Sequence, residues 1–205
     1  MLQAVTGPLA EALTQFVAQY GLVAVFLLMT AESALIPLPS EITMPFSGFM
    51  SSQGLLPFWG CVAAGATGNL AGSLIAWRIG LNGEEAVRSL VRTRGKYVLV
   101  SERELDLALR FYRRYGSWIT FFSRLLPVIR TYISLPAGIA EMPIWRFSVL
   151  TLLGSLLWST FLAWLGVLLG ENWSSLHAYF EKADIALVGL VVLAIVLYVV
   201  YKLRG

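Results

Sequence analysis

Apolar residues run along this chain in long blocks, without the polar face of a soluble helix or strand. About 20 apolar residues in a helix cross the hydrocarbon core of a bilayer. Four blocks reach that length: Leu13–Ala31, Pro57–Gly80, Ile144–Gly170 and Ile185–Tyr201. The last, IALVGLVVLAIVLYVVY, carries no charge and stops just before Lys202 and Arg204. Each block is expected to form a full transmembrane helix.

Two further apolar stretches, IPLPSEITMPFSGFM and WITFFSRLLPVIRTYISLPAGIAEMP, do not read as spans. Pro37, Pro39 and Pro45 interrupt the first; Pro127, Pro136 and Pro143 interrupt the second. Proline removes a backbone donor and bends or ends a helix. Broken backbone at membrane depth survives only inside protein or along a wet cavity. Both stretches are therefore expected to be re-entrant hairpins. Surface loops are the plainer alternative, but TFF, LL and ISLPAGI are too apolar for water.

Residues 81–116 between them are polar. ERELDLALRFYRRYG places Leu105, Leu109 and Tyr112 on one helical face, as in an amphipathic helix on a membrane surface or a small soluble linker.

The chain repeats itself. A shift of 86 residues aligns Pro57 with Pro143, Trp59 with Trp145, Gly68 with Gly154 and Gly80 with Gly166. The expected organisation is one all-α integral membrane domain, 1–205. It comprises a first repeat (13–80), a cytoplasmic amphipathic linker (81–116), a second repeat (117–170) and a C-terminal transmembrane helix (185–201).

Composition agrees with a membrane home. Hydrophobic residues make up 58% of the chain and charged residues 13%, against about 25% charged in soluble domains. Mean hydropathy is +0.73. The opening MLQAVTGPLAEAL has no Lys or Arg, so no cleavable secretory signal is expected. Nine of the fifteen basic residues fall between Arg78 and Arg114. That clustering suits an anionic cytoplasmic leaflet better than nucleic acid. It places 78–114 and the tail 202–204 inside, and the acidic 171–184 outside. Both termini are then cytoplasmic, the hairpins open to opposite sides, and the two repeats are inverted. Inverted repeats with broken helices meeting near the midplane mark transporters.

The informative charges are Glu32, Glu41, Arg124 and Arg130, all in or beside the hairpins. A charge at membrane depth costs on the order of 2.5–3.5 kcal/mol even on insertion scales. Such groups pair, line water or bind substrate. Arginine grips phosphate bidentately and keeps its charge. Glu32 and Glu41 can carry protons, or hold the arginines while no substrate is bound. Two Glu–Arg bridges that merely fasten the hairpins would explain the same residues.

Other residues read more simply. Cys61 and His177 are single in the chain, which leaves no thiol cluster or histidine-rich metal site, and no cofactor is expected. Cys61 reads as packing and His177 as an interfacial side chain. Trp59, Trp77, Trp145 and Trp173 lie near helix ends, as in an aromatic belt. Gly65, Gly68 and Gly72 form a stripe for close helix packing. Asn69 reads as a hydrogen bond between helices, and Glu141 as a residue facing water.

AESALIPLPSEITMPFSGFM and FFSRLLPVIRTYISLPAGIAEMPIWRF together resemble the DedA family of bacterial membrane proteins, also called the VTT or SNARE-associated domain family. Glu32, Pro39-Ser40-Glu41, Ser123-Arg124, Pro127, Arg130, Pro136-Ala137-Gly138 and Met142-Pro143 carry the resemblance, which extends from about residue 15 to 200. Some members have an aspartate where Glu41 stands. The Pro-Ser-Glu form resembles the branch that recycles undecaprenyl phosphate.

The resemblance implies movement of phospholipids or polyprenyl phosphates across the bacterial cytoplasmic membrane, coupled to protons or another cation. The expected parts are Arg124 and Arg130 on the lipid phosphate, and Glu32 and Glu41 in coupling. The expected partners are that lipid, the surrounding membrane lipids and a second copy of the chain in a homodimer.

Three other functions compete. A lipid phosphatase would begin with Ser123-Arg124 but needs a histidine where Arg130 stands, so no enzyme is expected. Glu32 and Glu41 would suit a cation–proton or drug antiporter, which paired arginines oppose. A scaffold would need none of the four charges.

Overall fold

The computed structural model describes residues 3–36, 38–98, 102–126 and 129–169. The expected fourth span, the loop before it, Trp173 and His177 lie outside the described residues, as do Pro37 and Pro127. Among the described residues, eight helices follow in order: α1 (Gln3–Tyr20), α2 (Leu22–Ser33), α3 (Ser40–Ser52), α4 (Phe58–Val98), α5 (Glu102–Ser123), α6 (Ile129–Tyr132), α7 (Ser134–Ile139) and α8 (Ile144–Leu169).

The block Leu13–Ala31, expected as one span, is two helices. Gly21 parts them with φ 57° and ψ −130°, a conformation that a side chain resists. Only α2 carries the apolar block to its end, and its 12 residues reach about 18 Å. The first hairpin then turns between α2 and α3, where Leu35 takes φ 75°. Pro39 caps α3, and α3 continues through Pro45 without ending. Of the prolines expected to break this stretch, Pro39 sets a helix boundary and Pro45 does not.

The second block and the start of the polar segment are one helix. α4 has 41 residues and is about 60 Å long, twice the hydrocarbon thickness. Nothing after Gly80 stops it: no proline follows, and glycine alone is tolerated in a helix. α5 likewise runs from the amphipathic segment straight into the second hairpin. Its inner face buries Leu109 and Tyr112, while Phe111, Tyr115, Trp118 and Phe122 stay exposed.

α8 matches the third expected span. Among the described residues, Ile144–Leu168 is the one stretch long and apolar enough to cross a membrane by length and composition.

The two long helices run antiparallel through the middle. Gly65 of α4 meets Ser159 of α8, and eight residues on along α4 Ser73 shares the Arg124 guanidinium with Thr151, eight residues back along α8. Asn69 and Ser155, equivalent under the 86-residue shift, fall at the midpoint of this contact, and both are buried.

Close backbone contacts join the long helices to the hairpins. A Cβ on Gly80 or Gly138 would overlap the backbone across the α4–α7 contact, at Leu135 and Trp77. A Cβ on Gly166 or Gly48 would overlap the backbone across the α8–α3 contact, at Pro45 and Ala163. Each long helix thus packs on the hairpin from the other half of the chain.

Two apolar clusters fill the ends. One joins Val17, Val25, Met29, Met44, Val62 and Leu162; the other joins Trp77, Leu109, Tyr112, Ala137 and Phe147. Between them the interior is polar: Ser33, Ser40, Asn69, Ser73, Thr151 and Ser155 are buried, beside Glu32, Arg124 and Arg130. Large apolar side chains such as Leu27, Ile79, Leu153 and Trp164 face outward.

Candidate lipid-phosphate site

Both hairpins end their first helices at the middle of the bundle. α2 delivers Glu32 one residue before its end, and α3 opens with Ser40 and Glu41. α5 closes on Ser123, so Arg124 begins the turn of the second hairpin, and Arg130 follows on the single turn α6.

Arg130 joins the two hairpins. Its Nη2 donates to Glu32 Oε1 and to Ser40 Oγ, and lies 3.4 Å from Glu41 Oε1. The Trp158 ring of α8 covers the guanidinium, with the centroid 5.4 Å from its carbon. One guanidinium thus stands against two carboxylates, all buried. Removing one partner of such a pair leaves a charge stranded and costs about 3–5 kcal/mol.

Arg124 sits differently. Nη1 donates to Ser73 Oγ at 2.8 Å and to the backbone carbonyl of Arg130 at 3.0 Å. Nη2 donates to Ser134 Oγ at 2.9 Å and Thr151 Oγ1 at 3.3 Å. None of the four acceptors is a carboxylate. Its side chain fits because α8 has Gly154 opposite, where a Cβ would stand 2.7 Å from that of Arg124. Phe147 lies 5.7 Å below the guanidinium. Arg124 ties α4, α7 and α8 to the turn that carries Arg130.

The expected site residues therefore come together in part. Glu32, Glu41 and Arg130 form one cluster; Arg124 is linked to it through the Arg130 carbonyl. Ser40, Ser73, Ser134, Thr151 and Trp158 were not singled out by sequence reasoning. Ser40 stood inside the Pro-Ser-Glu motif, and Ser73 lies one helical turn beyond Asn69. Nothing local marked the other three.

The remaining expectations resolve individually. Ser33 Oγ donates to Asn69 Oδ1, a bond between α2 and α4. Gly68 and Gly72 let α4 approach the Phe26 and Thr30 carbonyls. Cys61 is buried, and Glu141 is exposed in a turn at φ 56°. Trp59 and Trp145 are exposed at helix ends as a belt requires. Trp77 is not in that belt: it is buried, stacks on Phe147 and donates to the Met142 carbonyl at 3.2 Å.

Ionic and hydroxyl groups inside and aromatic and branched side chains outside define a membrane protein. The VTT domain family matches residues 36–168, and the chain belongs to that family, the DedA family of membrane proteins. It is 35% identical to undecaprenyl phosphate transporter A of Bacillus subtilis (strain 168) over 167 residues, 82% of this chain and 83% of that one. It is 30% identical to the Staphylococcus aureus (strain NCTC 8325 / PS 47) protein of the same name over 174 residues, 82% and 86% of the two chains. A Lactococcus lactis subsp. lactis (strain IL1403) relative, 33% identical over 92% of this chain and 91% of its own, is named an alkaline phosphatase-like protein. No solved structure matches the chain.

Proposed function

We propose that this protein moves a lipid phosphate, undecaprenyl phosphate foremost, across the bacterial cytoplasmic membrane in exchange with protons or another cation. It is a transporter and not an enzyme. The observation that carries the reading is the Arg130 guanidinium, held at the junction of the hairpins by Glu32, Glu41 and Ser40.

A phosphate approaching Arg130 meets two carboxylates already there. It can take the guanidinium only when those carboxylates lose their charge or withdraw. Protons or another cation loading on Glu32 and Glu41 and phosphate loading on Arg130 then favour one another, which is the thermodynamic content of coupling. Arg124 supplies a second cation beside the seat and holds its backbone. The relatives named as undecaprenyl phosphate transporters support the choice of lipid.

The accompanying arrangement has α4, α8 and the apolar block 185–201 as spans, two opposed hairpins, a cytoplasmic linker and a cytoplasmic C-terminus. The antiparallel long helices, each packed on the other half's hairpin, support an inverted pair of repeats. The basic stretch 78–114 supports a cytoplasmic linker. With Cys61 replaced by Ser, a cysteine at Arg94 should label only from the cytoplasm and one at Ser175 only from outside.

Reconstitution in liposomes with a labelled polyprenyl phosphate in one leaflet tests the function. Wild type should equilibrate the label between leaflets at a rate that depends on pH. Label that stays in its leaflet at every pH, with correctly inserted protein, would overturn the reading.

A further inference from the structure

We propose that Trp158 of α8 is a second ligand of the lipid phosphate, its indole N–H donating to the same phosphate that Arg130 holds. The inference rests on the phosphate-exchange reading above and adds to it a donor from the long helix of the second half.

Trp158 lies where such a ligand is needed. Its ring stands 5.4 Å from the Arg130 guanidinium carbon, and it packs at the margin of the core around Met44 and Leu162. Yet its Nε1 is buried and has no hydrogen-bond partner. Indole N–H can only donate. Burying it unpaired is destabilising, and native structures rarely do so without a reason. A phenylalanine would cover the guanidinium without that penalty. The N–H is therefore an unspent donor beside the cation, and the missing partner is an acceptor.

An arriving phosphate supplies one. Because the ring lies against the guanidinium, N–H···O bonds of about 2.9 Å from each can converge on one oxyanion. Glu32 Oε2 is also buried without a partner, but no hydrogen bond joins it to the indole. Ionised, it offers the guanidinium an opposite charge while leaving the indole unmet. A phosphate satisfies both. The open indole donor is thus of the kind that an oxyanion, which accepts, repairs. Ser159, the next residue, also has an unpartnered buried hydroxyl. It points to Gly65 and Met44 rather than to Arg130, and serves as the control.

The test uses the full chain in detergent with farnesyl phosphate, farnesol and inorganic phosphate as probes. Trp158→Phe keeps the ring and removes the donor. Farnesyl phosphate should bind this variant about tenfold more weakly, a difference of about 1.4 kcal/mol, while Ser159→Ala binds as wild type. Wild-type affinity in Trp158→Phe, with binding abolished in Arg130→Ala, would overturn the role of Trp158 and leave the Arg130 seat standing. Full binding by Arg130→Ala would instead overturn the phosphate reading itself.

A second measurement needs no variant at Trp158. Of the seven indole N–H resonances of the isotope-labelled chain, one should move downfield with farnesyl phosphate and not with farnesol. Inorganic phosphate that reproduces the shift assigns the seat to the bare anion; farnesyl phosphate alone assigns it to the lipid headgroup. No indole responding to either phosphate overturns the proposal.

Discussion

Arg124 and Arg130 are six residues apart, equally buried and identical in chemistry, yet their surroundings are opposites. Arg124 gives its Nη donors to three hydroxyls and a carbonyl, while its Nε is buried without a partner. Arg130 gives its donors to ionisable partners and a serine of the other hairpin. Neutral acceptors cannot change their charge, so the Arg124 cradle has one state. Carboxylates can, and on the proposed reading the Arg130 cluster has two. The comparison teaches that a buried guanidinium is a strut or a switch according to whether its acceptors titrate.

The largest expected effect is on folding. Arg124→Ala strands the Ser73, Ser134 and Thr151 hydroxyls and the Arg130 carbonyl, at about 1–3 kcal/mol for each buried group left unpaired. That is a large share of a typical stability of about 5–15 kcal/mol. Size exclusion and melting in detergent should show little folded protein, and Arg124→Lys an intermediate loss. A well-folded but inactive Arg124→Ala protein would break the comparison by placing Arg124 in the moving machinery.

Arg130→Ala should come next. Transport in liposomes should vanish, with less loss of stability than in Arg124→Ala, because the carboxylates left behind can take up protons. A melting temperature below that of Arg124→Ala would reverse the assignment of strut and switch.

Glu32→Gln and Glu41→Gln should insert and stay folded, since each keeps an acceptor oxygen for Arg130 and leaves the other carboxylate to balance its charge, but should transport poorly and lose pH dependence. Glu32 should matter more, since Arg130 contacts it more closely than it does Glu41 at 3.4 Å. Unchanged rates and pH response in both would leave the coupling without a carrier. Thr151→Val is the mildest probe. It removes one 3.3 Å bond to Arg124 and should cost about 0.5–1.5 kcal/mol of stability while leaving the pH profile of transport intact. An altered profile would connect the Arg124 cradle to the switch.

Much of this was legible beforehand. Proline-broken apolar segments carrying charge marked both hairpins, because neither feature is tolerated in lipid without a partner. α8 was legible from its uninterrupted apolar run, and the glycine stripe of α4 from its spacing. Other features were not. Gly21 looked like any glycine in an apolar block; its positive φ follows from the packing of α1 and α2. Pro45 looked like a break, but α3 tolerates the lost donor inside a crowded bundle. Trp77 looked interfacial, and Phe147 and the Met142 carbonyl drew it inward.

The amino-acid sequence by itself determined that this chain lives in a membrane and that four charges share the interior. Those conclusions need only the cost of burying charge and broken backbone. Tertiary structure alone decided which arginine meets the glutamates. Arg130 lies 98 residues from Glu32 and 89 from Glu41. The contact exists because the long helices run antiparallel and each packs on the hairpin of the other half. Spacing along a chain carries no information about such a crossing; the packing of the long helices against the hairpins creates it.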